Sequence, residues 1–295
     1  MSQQDWLAEQ FDSHRPALRA VAYRMLGSLT EADDALQEAW LRASGADTSR
    51  VERPAAWLTT VVGRVCLNIL RARRSRKEES LEARLPDPVV SRVDDDEDPE
   101  HRALLADAVG LALLVVFDTL TPAERLAFVL HDMFAVPFDD IGPLIDRTPA
   151  ATRQLASRAR RRVREQAPAP EPDRDKQRRV VDAFFAAAKE GDLEGLVAVL
   201  DPDVVLRSDG GTARARHTVA VKGARTVAGQ AATFSGLARF VRPALVNGTA
   251  GAVVIAKGRP LAVMAFTVSE GVIATLEIIA DPERLVAFDL TGFDD

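Results

Sequence analysis

The segment Ala167-Pro-Ala-Pro-Glu-Pro172 sets a proline at every second position. Proline lacks the amide donor that a helix interior or a central strand needs, so neither can run through this stretch. Its preferred form is stiff and extended, a spacer between separately folded parts. The 295 residues exceed what one compact domain usually needs, which agrees with a division here. Before the spacer apolar residues recur at helical spacing, and after it the pattern turns to strands.

About Asp5 to Lys77 reads as helical throughout. Thr30 followed by Asp33 predicts a capping-box-like helix start. Beyond it Ala32, Ala35, Leu36, Ala39 and Trp40 share one stripe, and Glu31, Asp34, Gln37, Glu38 and Arg42 line the other side. Pro54 opens a further helix whose Trp57, Leu58, Val61, Val62, Val65, Ile69 and Leu70 face a core. Glu78 to about Glu100 has no sustained period, three prolines and an acidic run, and reads as a largely extended linker. Helix returns from about His101 to Leu120. Thr121-Pro-Ala-Glu124 then combines an N-cap, a first-position proline and a reciprocal Glu, starting a helix to about Asp132. A short helix is expected near Phe138 to Ile145, although Gly142-Pro143 interrupts it. Asp146-Arg147 turns the chain, and Thr148-Pro149 starts a helix with Leu155, Ala159 and Val163 as its apolar stripe. Two helices joined by so short a turn match a helix-turn-helix.

After the spacer, about Asp175 to Ala188 is amphipathic helix and Leu193 to Leu200 a second, short one. Strands are expected over Val204–Ser208, Phe240–Val246, Ala252–Lys257, Leu261–Val268 and Val272–Ile279, with Ser269-Glu-Gly271 as a tight hairpin. Helices followed by mainly antiparallel strands make an α+β domain.

The formal net charge of −6 argues against a polyanionic partner only as an average, and the charges are strongly segregated. Arg147 to Arg164 holds seven arginines and no acid, Arg64 to Lys77 six basic residues and no acid, and Asp94 to Glu100 six acids in seven positions. Local charge decides which surface meets phosphate. The single cysteine, Cys66, excludes an internal disulfide and reads as a small buried residue. Neither a signal peptide nor an apolar run long enough for a bilayer is visible, so a cytoplasmic location without membrane contact is expected.

The helix from Thr148 places Arg153, Gln154, Ser157, Arg158, Arg161 and Arg162 away from its apolar stripe. Such a helix fits the major groove, where Arg pairs with guanine and Gln with adenine. The same residues could touch phosphates alone, or form a solvated face. Crowded arginines without acids repel one another unless a polyanion neutralises them, which favours DNA. Trp57 and Asn68 beside the other basic run suit unpaired bases, although Trp57 also lies on the apolar stripe and the core reading is the better one for it.

Together these residues resemble extracytoplasmic-function sigma factors. Leu29-Thr-Glu-Ala-Asp-Asp-Ala-Leu-Gln-Glu-Ala-Trp-Leu-Arg42 resembles region 2.2, which grips core RNA polymerase. Arg53 to Arg74 resembles regions 2.3 and 2.4, which melt and read the −10 promoter element, and Leu120 to Val163 resembles region 4, with Thr148 to Arg162 as the −35 helix. The resemblance implies core RNA polymerase and promoter DNA as partners. It implies Asp33, Asp34, Gln37 and Glu38 in polymerase binding, Arg64, Asn68 and Arg71 at the −10 element, and Thr148, Arg153, Gln154, Ser157, Arg158 and Arg161 at the −35 element. The tail resembles the SnoaL-like, nuclear-transport-factor-like cone of the SigJ-type subgroup. Leu85-Pro-Asp-Pro88 resembles that subgroup's Trp-Leu-Pro-Glu-Pro motif, with Arg84 in place of Trp. Asp209-Gly-Gly-Thr212 resembles Asp-Gly-Gly-Gly, and Asn247-Gly-Thr-Ala-Gly251 matches Asn-Gly-x-x-Gly.

The expected architecture is thus multidomain: an all-α region 2 bundle (5–77), an acidic linker (78–110), an all-α region 4 helix-turn-helix (111–166), the spacer (167–174) and an α+β SnoaL-like regulatory domain (175–295). Leu85, Pro86, Asp87, Pro88, Asp209, Gly210, Gly211, Asn247, Gly248 and Gly251 are its candidate interdomain contacts, since glycine turns let backbone amides approach a partner closely. The acidic linker either mimics polyanion in a polymerase channel, as the resemblance implies, or is a solvated tether. An enzyme is not expected. The only tyrosine, Tyr23, lies in the first part, and His217 is the only histidine after residue 131, so an oxyanion donor and a metal set are both lacking. Asp209 and Glu277 remain as acid/base candidates. No cofactor or metal is expected, and a small-ligand pocket in the last domain stays open. Two alternatives remain: a ligand-sensing helix-turn-helix regulator acting without core polymerase, and a SnoaL-like enzyme with a DNA-binding appendage.

Overall fold

The computed structural model describes residues 3–49, 51–77, 84–93 and 110–293, apart from the side chains of Arg76 and Lys77. The described residues form two compact units. One comprises 3–77 and 116–165, the other 84–93, 110–115 and 166–293. The acidic run 94–100 and the helix expected over 101–109 lie outside the described residues.

The first unit is all-helical. Helices α1 (Gln3–Leu26), α2 (Leu29–Ser44) and α3 (Pro54–Lys77) pack on one another in every pairing. Their core comes from Leu18, Val21 and Met25 of α1, Ala32, Ala35, Leu36 and Ala39 of α2, and Leu58, Val62, Val65, Cys66 and Leu67 of α3. The cap of α2 differs from the expected one. Ser28, not Thr30, is the N-cap, and its hydroxyl accepts from Glu31 N. Asp33 is instead clasped by Arg19 through two bonds of 2.7 and 3.0 Å.

Helix α4 (Leu111–Phe117) is followed by α5 (Pro122–Phe128). Thr121 and Glu124 complete a reciprocal capping box, and α5 runs on as a π turn over Val129–Met133. Gly63, in the middle of α3, has a packing role: a Cβ there would stand 3.0 Å from Leu130 and 3.3 Å from Leu126. Arg125 of α5 is buried and donates to Asp118 (2.7 Å) and to the Arg24 carbonyl (3.2 and 3.1 Å), tying α5 to the end of α1. Cys66 is fully buried, which pushes its thiol up to about 12.

The short α6 (Phe138–Ile141) gives way to a 3-10 turn over Gly142–Leu144, and α7 spans Pro149–Gln166. Pro143 therefore sits in the tighter turn, where its missing amide does not interrupt an α-helical ladder. A Cβ at Gly142 would press on the Arg147 carbonyl, so the glycine permits the chain's reversal into α7. The buried stripe of α7 is Thr152, Ala156 and Ala159, while Leu155 and Val163 are half-buried. Ala159 of the expected stripe is thus buried as expected, while the small Thr152 and Ala156 take the fully buried places in preference to Leu155 and Val163.

The second unit is α+β. Its sheet follows the order β1-β4-β5-β6-β7-β2-β3, with β1 Val90–Ser91, β2 Leu200–Asp209, β3 Val219–Lys222, β4 Val241–Val246, β5 Thr249–Ala256, β6 Arg259–Ser269 and β7 Val272–Ile279. Only β2 and β7 run parallel. Helices α8 (Arg174–Glu190), α9 (Leu193–Ala198) and α10 (Ala224–Thr233) build one core with the sheet, through Val181, Phe184, Leu196, Val227, Phe266 and Leu276. Helix α11 (Pro282–Ala287) follows β7. Three two-residue hairpins, Asn247-Gly248, Lys257-Gly258 and Glu270-Gly271, have positive φ at both residues, as the turn matching strand twist requires. Strands β1 and β3 and helices α10 and α11 were not expected from sequence. Each is short, and β3, with alternating half-buried and exposed residues, gives a weak apolar signal.

Among the described residues no helix is long and apolar enough to cross a membrane.

Candidate functional site

Part of the stretch read as linker is a strand of the second unit. Val90 pairs with Val246 and Ser91 with Leu245, so β1 extends the sheet at its β4 edge. Residues 85–91 are all buried. Fully burying a Leu or Val side chain contributes about 1.5–3 kcal/mol, against roughly 0.5–1.5 for a hydrogen bond. Leu85, Val89 and Val90 therefore supply most of the docking energy, and the polar contacts set its register.

Those polar contacts come from the two glycine turns. Asn247 Oδ1 accepts from Val89 N (2.9 Å) while Asn247 N donates to Val89 O (2.8 Å). The first residue of a two-residue hairpin has its amide free of the ladder, so the turn that closes β4–β5 also receives the incoming chain. At the other turn Asp209 Oδ1 accepts from Gly211 N (3.0 Å), and its Oδ2 accepts from Leu85 N (3.2 Å). Gly211, at φ +61°, lies against Asp281, and a Cβ at Gly210 would strike the Arg214 carbonyl. Gly248, at φ +76°, completes the hairpin. Gly251 serves a different purpose: it lies within β5, where a Cβ would press on Val246 and on the Met264 carbonyl.

The centre of the arrangement is Arg284 on α11, only 6% exposed. It donates to Asp87 Oδ1 (2.7 and 3.2 Å), to Asp209 Oδ2 (2.5 Å) and to the Leu85 carbonyl (2.8 Å). One guanidinium thus joins a linker carboxylate, a linker carbonyl and the Asp209 turn, all within the second unit. Exposed Arg84 adds a looser contact to Asp87 at 3.6 Å. Sequence reasoning missed Arg284. Asp281-Pro282-Glu283, whose Asp caps α11, was the signal that a helix starts there.

The acid/base candidates lie apart from the unit's main cavity, of about 570 Å³. Ser208, Leu206, Leu276 and Ile278 line it and Asp209 and Glu277 do not, because strand alternation sends them to the opposite face. Glu277 is fully buried, held by Arg207 (3.0 Å) and Thr275 (3.1 Å). Burial pushes its carboxyl up to about 7, against the opposing pull of Arg207 and Thr275. Among the described residues no group of three metal-ligating side chains occurs.

In the first unit Arg64, Asn68 and Arg71 are exposed at spacings of four and three, hence on one face of α3. Arg73 is instead paired with Glu31 and donates to the Leu26 carbonyl at 3.0 Å. Trp57 is half-buried. On α7 and its cap Thr148, Arg153, Gln154, Ser157, Arg158 and Arg161 are all exposed. Two arginines of the run are used internally: Arg160 pairs with Asp132 (3.0 Å), and Arg162 reaches Glu124 (3.4 Å) and the Thr119 carbonyl (3.2 Å). Arg162 therefore secures α7 to the capping box of α5. On α2, Asp34, Gln37 and Glu38 are exposed beside Leu41, which is 65% exposed, while Asp33 is held by Arg19.

Comparison with known proteins shows the family. Residues 10–76 match the family model of Sigma-70 region 2. The chain is 38% identical over 294 residues to "ECF RNA polymerase sigma factor SigJ" of Mycobacterium tuberculosis, covering 95% of this chain and 94% of that one. It is 34% identical to "Probable ECF RNA polymerase sigma factor SigI" of the same organism, covering 97% of each. The crystal structure of M. tuberculosis SigJ superimposes with a TM-score of 0.75 at 35% identity, over 96% of this chain and all of that one. A full-length match of this kind spans both the helical unit and the α+β unit, and the chain therefore belongs to the extracytoplasmic-function RNA polymerase sigma factors, as a relative of SigJ and SigI.

Proposed function

We propose that the second unit controls this sigma factor in cis by gripping the chain between its promoter-reading parts. The observation that carries the reading is the docked strand: residues 85–91 are buried, and Asp87 is paired with Arg284. Those residues are withdrawn from the tether that joins α3 to the helices after it, and from any path through polymerase. Release of the strand is a two-state event that a ligand or partner can bias.

In this reading Arg64, Asn68 and Arg71 meet the −10 element, and α5 to α7 act as a helix-turn-helix whose Thr148, Arg153, Gln154, Ser157, Arg158 and Arg161 meet the −35 element. The uniform exposure of both sets supports it. Asp34, Gln37 and Glu38 with Leu41 form the surface for core polymerase, and Asp33 shapes it through Arg19. The helices packed on a mixed sheet around a cavity support a SnoaL-like cone that receives a small ligand. On this reading the two promoter-reading parts are 5–77 and 111–166 and the regulatory part is 175–295, although 84–93 and 110–115 cluster with the α+β unit.

Run-off transcription with core polymerase tests the proposal on three chains: the full chain, one ending at Pro172, and Arg284→Met. Methionine leaves Asp87 and Asp209 buried without their cation, a loss of about 3–5 kcal/mol where a buried pair is broken. Output from Arg284→Met is expected to rise severalfold over the full chain, and the truncated chain to differ severalfold as well. Equal output from all three would remove the regulatory role and leave an unregulated sigma factor.

A further inference from the structure

We infer that the cavity of the second unit takes an anionic amphiphile: an apolar body with a single carboxylate-type head. The inference rests on the reading of that cavity as a small-ligand site and adds the chemistry of its occupant. At about 570 Å³ the space lies within the range of roughly 300–1,000 Å³ usual for small-molecule pockets. Its walls are apolar and aromatic, with Phe184 and Phe185 from α8, Leu206 and Leu276 from the sheet, and Phe234 and Leu237 from the segment after α10. An apolar body fits these walls.

The charged lining is one-sided. Arg214, Arg216 and His217 line the cavity, and among the described residues no Asp or Glu does. Arg214 is held in place through one guanidinium nitrogen, Nη1, by the carbonyls of Ala280 (3.2 Å) and Leu261 (3.5 Å). Those are neutral acceptors, and among the described residues no carboxylate pairs with it. Arg216 is exposed and, among the described residues, has no acidic partner. Phe234, half exposed, lines the cavity with it. Two cations above an apolar chamber attract an anion more strongly than the same cations in water, because the low dielectric on one side focuses the field. A neutral amphiphile would leave that field unused, and a cationic one would be repelled.

The basic end is a built loop. Gly210 N donates to Thr218 Oγ1 (3.1 Å) and Arg214 N to the Gly210 carbonyl (3.2 Å), closing residues 210–218 on themselves. The loop begins directly after Asp209, which holds Leu85 and Arg284, so the cavity's cationic rim and the linker's anchor share one short segment.

Equilibrium dialysis of the full chain with radiolabelled decanoate, decanol and decyltrimethylammonium, each below its micelle concentration, tests the assignment. Decanoate is expected to bind about tenfold tighter than decanol, with decyltrimethylammonium weakest. Arg216→Glu, at an exposed position that folding does not depend on, should erase the decanoate advantage and leave decanol binding unchanged. Ala231→Trp, which fills the chamber from α10, should abolish binding of both. Equal affinity for decanoate and decanol, or an unaltered preference in Arg216→Glu, overturns the anionic head while the cavity stands as a small-ligand site. No binding of any probe, or decanoate binding that survives Ala231→Trp, overturns the cavity reading itself.

Discussion

Glu277 ties the stability of the second unit to pH. Its protonation lies near 7 in the folded chain, against an ordinary value of 4.5, because burial outweighs the help of Arg207 and Thr275. Between those values the folded chain keeps a proton that the unfolded chain has released. The unit's stability must therefore fall as pH rises from about 4.5 to about 7, then level off, by a total of about 3 kcal/mol. Glu277→Gln should remove that loss, stabilising the unit at pH 8 and changing little near pH 4.5. Hydrogen exchange at β6 and β7 amides is the measurement to use, since Trp6, Trp40 and Trp57 all lie in the first unit and their fluorescence would report on the wrong one. A wild-type chain equally protected at both pH values would refute the expectation. The acid in Asp209-Gly-Gly was legible in the sequence as a turn residue with a possible partner. Arg284 was not, because nothing local separates it from the other basic residues until the fold sets it between two carboxylates.

At the scale of elements, the docked strand β1 depends on its partner more than on itself. Two residues have no period that could announce a strand, and three nearby prolines argue for extended linker. The neighbouring hairpin supplies what is missing, with Asn247 satisfying both the amide and the carbonyl of Val89. Asn247→Gly separates the two tasks of this residue, since glycine accepts φ near +50° but offers no side-chain acceptor. The β4–β5 hairpin should survive, while the Val89 and Val90 amides should exchange about fivefold faster, the equivalent of about 1 kcal/mol. Hydrogen exchange resolved at those two amides decides it, and unchanged protection would mean that apolar burial alone holds the strand. The hairpin itself was readable from Asn-Gly; its second use was not, because it concerns a segment more than 150 residues away in the chain.

For the whole molecule, the sequence total of −6 is a poor guide to what the chain binds. The exposed face of α7 carries Arg153, Arg158 and Arg161, while Arg160 and Arg162 are spent on Asp132 and Glu124. The two groups should behave differently. Arg158→Ala in the polymerase holoenzyme should weaken promoter binding and lower the dependence of log affinity on log salt by about one ion. Arg162→Ala should leave that slope nearly unchanged and instead loosen α7 against α5, lowering the melting temperature of the first unit. Slopes measured by filter binding between low and moderate salt distinguish them, and identical behaviour of the two variants would contradict the division of roles.

Membership of the sigma factor family, the helical character of α1 to α3 and α5 to α7, and the α+β character of the chain beyond the proline spacer were all determined by local pattern: periodicity, caps, charge runs and ordered motifs. These are properties of short windows, and short windows are what a sequence displays directly. The strand formed by Val90 and Ser91, the sharing of Arg284 between Asp87 and Asp209, the turning of Glu277 away from the cavity and the internal use of Arg160 and Arg162 were decided by tertiary structure. Each joins groups far apart in the chain or selects one face of an element. Whether a charged side chain meets solvent, a partner or a buried counter-ion depends on those long-range neighbours and not on the residues beside it.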